Sequence, residues 1–300
     1  MSRMRRSLGR GALAVVVAVL ATPGAAGAKG LGVDWESLLP AFPSSSAVQP
    51  GSVPYCETPT LACVDTEIER MEAAQASFGC DHRGVFATTY LELTRQLRED
   101  RGTHPDRYAD PRYLYSEDAL FADIYFETLD DWASGRPVPA AWRIALQTAR
   151  SGQVNAAQDM LLGINAHVQN DMPFVLAALG QRRPDGTTRK PDHDAFNPVL
   201  DDAYQRVVDA IERRYDPLVG GVNSKLTPLD DVGGLEMVRG WRELVWRNAE
   251  RLLAAKDAAA RQRVADQIEA NAAAWATLIA TQAQPGYRAT RDAYCASAGR

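Results

Sequence analysis

His167 and Asp171 are the side chains of this sequence best placed to do chemistry together. They stand four residues apart in the apolar run VNAAQDMLLGINAHVQNDMPFVLAALG, residues 154–180. On a helix that spacing puts both on one face, a turn apart. Asn170 flanks the same face, Asn165 lies just before it, and Pro173 follows. Proline offers no N–H to the carbonyl of Gln169 and pushes Met172 from helical angles, so the spacing predicts a helix that kinks or restarts at the polar cluster. Imidazole and carboxylate so arranged suit three roles. They can ligate a divalent ion, zinc, manganese or iron, as both catalytic and metal-holding residues, if further donors approach. His82, at the start of a core helix, and Asp123, on an otherwise apolar face, are the candidate co-ligands, with Asn165 and Asn170 supporting the ligands or touching substrate. Without metal, Asp171 can orient His167 as a general base. The third role is structural: His167 bonded in the core by Asp171 or Asn170, and Asp171 capping the helix that restarts at Pro173.

Other chemistries lack their signatures. No G-x-S-x-G occurs, and Gly220-Gly221 and Gly233-Gly234 sit in loops without the strand that a dinucleotide fingerprint needs. His104 and His193 lie in polar loops and are expected to face solvent.

The elements that must position these residues read as helices. Thr66 with Glu69 forms a capping-box pattern ahead of a helix that Gly79 closes. A second helix runs from about His82 to Glu99, with His82, Phe86, Tyr90 and Thr94 at spacing four. Ser116 reads as the cap of EDALFADIYFETLDDWAS, and Pro137 and Pro139 separate that helix from AAWRIALQTAR. After a charged linker, 181–194, comes NPVLDDAYQRVVDAIERRY, then a Gly/Pro-bearing loop over 216–234 whose length suits a lid or binding loop. Two amphipathic helices follow, one striped by Val238, Trp241, Val245, Ala249 and Leu252, the other by Val264, Ile268, Trp275 and Ile279. No segment alternates with period two. The expectation is an all-α single domain of about seven or eight helices with a kinked central helix, spanning 64–283.

Flanking segments bear on location. Four arginines precede the apolar run Ala12–Ala21, and Ala26-Gly27-Ala28 offers a cleavage site, the layout of a secretory signal peptide over 1–28; the Arg5-Arg6 pair admits the twin-arginine route. The run is too short for a stable membrane anchor. Its removal leaves 29 basic against 38 acidic side chains, a formal charge of −9, which argues against nucleic acid as main partner. Residues 29–63 read as a Pro/Ser-rich extended arm and 284–300 as a tail. Cys56, Cys63, Cys80 and Cys295 allow three pairings in an oxidising compartment; Cys56–Cys63 as a local loop and Cys80–Cys295 as a tail clasp are favoured over a thiolate metal site, whose spacings are missing.

Several segments in order, CDHRGVFATTYLELT, FADIYFETLDDW, PAAWRIAL, LLGINAHVQNDMPFVLAALG and WRNAERL, resemble a bacterial, mainly actinobacterial family of unknown function. Its most recognisable motif, Asn-Ala-His-x-x-x-Asp-x-Pro, is carried here by Asn165, Ala166, His167, Asp171 and Pro173. The resemblance covers about 65–253 and implies a helical fold without bringing an activity. A local similarity links His167-x-x-x-Asp171 to zinc-dependent phospholipase C and the related single-strand nucleases, which are all-α and secreted. Those enzymes need further histidines, including a His-x-x-x-Glu pair, whereas of the four histidines here only His167 has an acid four residues on.

Two functions follow as expectations. One is a secreted metal-assisted hydrolase of phosphoesters or related esters, built on His167 and Asp171. The other is a non-catalytic extracellular binding protein that holds an apolar, lipid-like or amphipathic small molecule beneath the 216–234 loop, with His167 a buried polar latch. Convergence of His82, Asp123, His167 and Asp171 beside an open cleft favours the first; an apolar cavity with His167 paired only to Asp171 favours the second.

Overall fold

The computed structural model describes residues 33–39, 53–219, 231–281 and 286–298. The expected leader, and residues 220–230 of the expected lid, lie outside them. The described chain is all-α. A short α1 (Trp35–Leu38) and a 3-10 turn (Pro54–Cys56) precede α2 (Leu61–Phe78), α3 (Arg83–Thr103), α4 (Pro111–Ala133) and α5 (Ala140–Ser151). Next, α6 (Ala156–Ile164) runs through a π-helical segment (Asn165–Asp171) into α7 (Met172–Leu179). The short α8 (Lys190–Asp194), then α9 (Asn197–Arg214), α10 (Asp231–Ala254), α11 (Ala258–Ala280) and α12 (Tyr287–Ser297) complete the order. Among the described residues no strand forms; Arg182 and Thr188 make an isolated bridge.

The central rod runs from α6 into α7 without a break in its helical backbone. Where Pro173 removes a backbone donor, the helix widens: the N–H of Met172 reaches back to the carbonyl of His167, five residues away. Asn155 starts the rod with a capping box completed by Gln158. The rod packs against α3, α4, α5, α10 and α11. Its Leu162, Val175, Leu176 and Leu179 are buried with Leu91, Trp142, Trp246 and Ala249 in one core cluster. Gly163 lets α3 and α6 cross closely, because a Cβ there would overlap the Phe86 ring. The stripe Val238, Trp241, Val245, Ala249 and Leu252 is buried throughout, as its spacing predicts.

Two helix starts differ from expectation. The helix expected from Thr66, α2, begins at Leu61, so Thr66 lies inside it and its hydroxyl donates to the Ala62 carbonyl rather than capping. That expected from Ser116, α4, begins at Pro111: Asp110 accepts from the Tyr113 N–H and Pro111 takes the first turn, where its missing N–H costs nothing. Ser116 therefore sits in the second turn and donates to the Arg112 carbonyl.

Both favoured disulfides form, Cys56–Cys63 and Cys80–Cys295, closing loops of 7 and 215 residues. The tail is helical, and α12 is held by the second bridge and by Arg291, buried and bonded to the Cys80 carbonyl. Part of the arm lies on α10: the Trp35 indole donates to Glu236 at 3.2 Å, and Arg247 to the Leu39 carbonyl at 3.0 Å. Among the described residues no helix is long and apolar enough to cross a membrane.

Candidate functional site

Because the π-helical segment keeps His167 and Asp171 on one side of the rod, their side chains meet. His167 Nδ1 lies 2.9 Å from Asp171 Oδ2, the same oxygen that accepts the Trp142 indole N–H at 2.8 Å. Asn170 donates to Oδ1 at 2.7 Å. A carboxylate receiving two such donors requires the proton of His167 to sit on Nδ1, which leaves Nε2 the acceptor. Burial pulls the His167 pKa below 6.5 against the opposing pull of Asp171, so the ring is neutral at neutral pH. The ring stacks on Phe121, centroids 3.5 Å apart, with Tyr90 at 4.9 Å and Phe86, Tyr125 and Trp142 within 6 Å. Nε2 is sealed in this aromatic box without a partner.

The other expected site residues are placed elsewhere. His82 Nδ1 faces Asp159 on α6 at 2.6 Å and its Nε2 lies 3.6 Å from Asp292 of α12, so this histidine belongs to the disulfide clasp. Asp123 pairs with Arg70 of α2 at 3.3 Å. Asn165 donates to the Ala272 carbonyl and accepts from Gln169, which in turn accepts from Asn271. These amides tie the rod to α11. The four expected metal donors are thus not gathered, and among the described residues no three His, Cys, Asp or Glu side chains stand close enough to hold an ion. His193 is buried, donating from Nε2 to the Arg242 carbonyl, which corrects its expected exposure; His104 is exposed and faces Asp100 at 3.0 Å.

Beside the dyad opens a cavity of about 620 Å³. Its walls come from α3, α4, α6, the π-helical segment, α7, α9, α10 and α11 and are mainly apolar, with Phe121, Met160, Leu161, Val208, Val238 and Ile279 among them. Val219, Gly233 and Gly234, which flank the undescribed part of the 216–234 loop, lie on its lining, and the exposed Leu278 marks its mouth. His167 belongs to the wall but is 2% exposed, so its Nε2 is out of the cavity's reach.

One wall residue escapes sequence reasoning. Glu117 is 9% exposed, lines the cavity, and has no hydrogen bond or ion pair among the described residues. Burial pushes its carboxyl up from 4.5 to about 7, although the Arg242 guanidinium pulls it down. Arg242 is engaged with Asn197, the His193 carbonyl and Met172 Sδ. Next to Glu117, Asp118 faces the fully buried Glu67, whose carboxyl is held well above its usual range by burial and by Asp118. A helix begun at Ser116 makes Glu117 an ordinary first-turn acid; the true start at Asp110-Pro111 turns it inward. That Asp-Pro pair was the available signal.

Residues 64–282 match the family of unknown function DUF5995, and the chain belongs to that family. No curated protein and no solved structure matches it.

Proposed function

We propose that this DUF5995 member is an exported binding protein that carries an apolar or amphipathic small molecule in the cavity beside the central rod. The observation that carries this reading is the cavity itself, large, walled by apolar side chains and joined to the surface at Leu278. Its volume lies within the usual range of small-molecule sites. Apolar walls hold water poorly, so an apolar occupant is the natural filling. His167 serves as the latch, fixing rod, α4 and α5 through Phe121, Asp171 and Trp142. The two disulfides and the arginine-led leader support action outside the cytoplasm.

Metal-assisted hydrolysis is the weaker reading, because His82 and Asp123 are spent on Asp159 and Arg70. General-base action by His167 is weaker too, since its lone pair is sealed. The test is solvent extraction of the purified mature protein with mass spectrometry of what is released, and titration with a hydrophobic fluorescent dye. Leu161→Trp and Met160→Trp, which add bulk to the wall, are expected to abolish dye binding while the thermal transition persists. Dye binding unaffected by either variant would refute the cavity as its site. Elemental analysis of untagged protein is expected to show no divalent ion whose content follows His167→Ala; one equivalent lost in that variant would restore the metal reading.

A further inference from the structure

Resting on the binding reading above, we infer that the occupant is an amphiphile whose polar end donates hydrogen bonds, an alkyl amine or alcohol rather than a fatty acid, and that Glu117 receives that end. The argument is a tally of donors and acceptors on the cavity wall. The charged donor, Arg242, gives three of its five N–H groups to Asn197, to the His193 carbonyl and to Met172. The hydroxyls of Thr89 and Thr94 donate back to the carbonyls of Val85 and Tyr90 within α3. The hydroxyls of Tyr90 on the wall and of Tyr108 and Tyr113 near Glu117 are buried without partners among the described residues, but they are neutral and can accept as well as donate; the unmatched charged group is an acceptor. Glu117 is more than nine-tenths buried with no partner among the described residues, whereas its neighbour Asp118 faces Glu67.

A buried polar group left without a partner is unfavourable, and one that a ligand completes discriminates strongly between ligands that match it and ligands that do not. The groups facing Glu117 set the sign of that discrimination. They are Arg242 from α10, Asp192 from α8, Asp118 from α4 itself, and the hydroxyls of Tyr108 and Tyr113. Asp192 is already satisfied by the N–H groups of Ala109 and Asp110 and by Arg183. A ligand carboxylate would meet the Glu117 and Asp118 carboxyls beside a guanidinium that has given most of its N–H groups elsewhere. An ammonium or hydroxyl would find an acceptor instead, and its alkyl chain the apolar wall. An ammonium that pairs with the Glu117 carboxylate also expels the proton this group holds near neutrality, so amine binding is accompanied by proton release.

The experiment is displacement of the hydrophobic dye from the wild-type protein by dodecylamine, dodecanol and dodecanoate at pH 8, repeated with Glu117→Gln. A charge-assisted hydrogen bond in a buried site predicts that the amine binds about tenfold or more tightly than dodecanoate. Glu117→Gln, close in shape and checked by circular dichroism, is expected to remove that preference and leave dodecanol little changed. Calorimetry of amine binding to wild type at pH 7, in two buffers of different ionisation enthalpy, is expected to show proton release and needs no variant. Equal affinity for the three ligands, tighter binding of dodecanoate, an amine preference that survives Glu117→Gln, or the absence of proton release would each overturn the inference and leave the cavity reading standing. Failure of the dye and all three ligands to bind would overturn both.

Discussion

Replacing Glu117 by Gln should stabilise this protein, and by an amount that depends on pH. In the unfolded chain the carboxyl titrates near 4.5; in the folded protein burial holds it up to about 7. Below pH 4.5 it is protonated in both states and contributes nothing. Between these values the unfolded chain has released the proton while the folded protein still binds it, so folding loses stability as pH rises. Two and a half pH units at about 1.4 kcal/mol each give a loss of about 3 kcal/mol once the pH passes 7. Glutamine cannot ionise and escapes that loss. His167 titrates in the opposite sense, its neutral folded form losing stability as pH falls below 6.5, but it is common to both proteins and drops out of the difference. Urea unfolding of wild type and variant at half-unit steps from pH 4 to 8.5 measures that difference directly. It should be near zero at pH 4 and grow to about 3 kcal/mol in favour of Gln by pH 8. A difference that stays flat, or shrinks with rising pH, would show that the Glu117 carboxyl is solvated in the folded protein and that the site argument built on it is wrong.

Three further outcomes follow from the packing. Asp171→Ala strands the donors of Trp142, His167 and Asn170 in the core and should lower stability by about 3–5 kcal/mol, read from the urea midpoint; an effect under about 1 kcal/mol would contradict the latch. Replacing Cys80 and Cys295 together by Ser opens a loop of 215 residues and should cost up to about 5 kcal/mol, against about 2 for Cys56 and Cys63, whose loop spans 7; the opposite ranking in thermal unfolding would show that α12 is held by Arg291 and not by the bridge. Gly163→Ala, which helix propensity alone would favour by about 1 kcal/mol, should instead destabilise by about 1–3 kcal/mol because Phe86 must move; a stabilised variant would mean that α3 and α6 cross less closely than described.

The legible parts of the sequence were those where one local pattern decides the outcome. The α10 stripe from Val238 to Leu252 was readable because apolar spacing alone fixes which face is buried. The His167–Asp171 contact was readable because four residues on a helix leave little choice of neighbour. Where two side chains come from different elements, spacing is silent. His82 and Asp123 looked available because their partners, Asp159 and Arg70, are 77 and 53 residues away along the chain. Glu117 was lost through a boundary error of one and a half turns, since Asp110-Pro111 and Ser116 both offer helix starts and only tertiary burial of Tyr113 and Leu114 selects the earlier. The Phe121 stack and the cavity walls, assembled from helices far apart along the chain, leave no trace in any one segment.

The widened turn at Asn165–Asp171 also works as a phase shifter. A π-type turn takes up about one residue more than an α-helical one, and each residue of an α-helix turns the face by about 100°. Everything from Met172 onward is therefore rotated by that step against what α6 alone would dictate, so the face that Val175, Leu176 and Leu179 present is set by the widened turn as well as by their spacing. Deleting a single residue within NAHVQND would let the rod close into plain α-helix, its composition and length hardly altered, with Val175, Leu176 and Leu179 swung out of register with α10. When relatives are aligned, a one-residue gap in this segment is thus not slack in a connector. It marks a protein whose central rod is indexed differently and whose cavity has other walls.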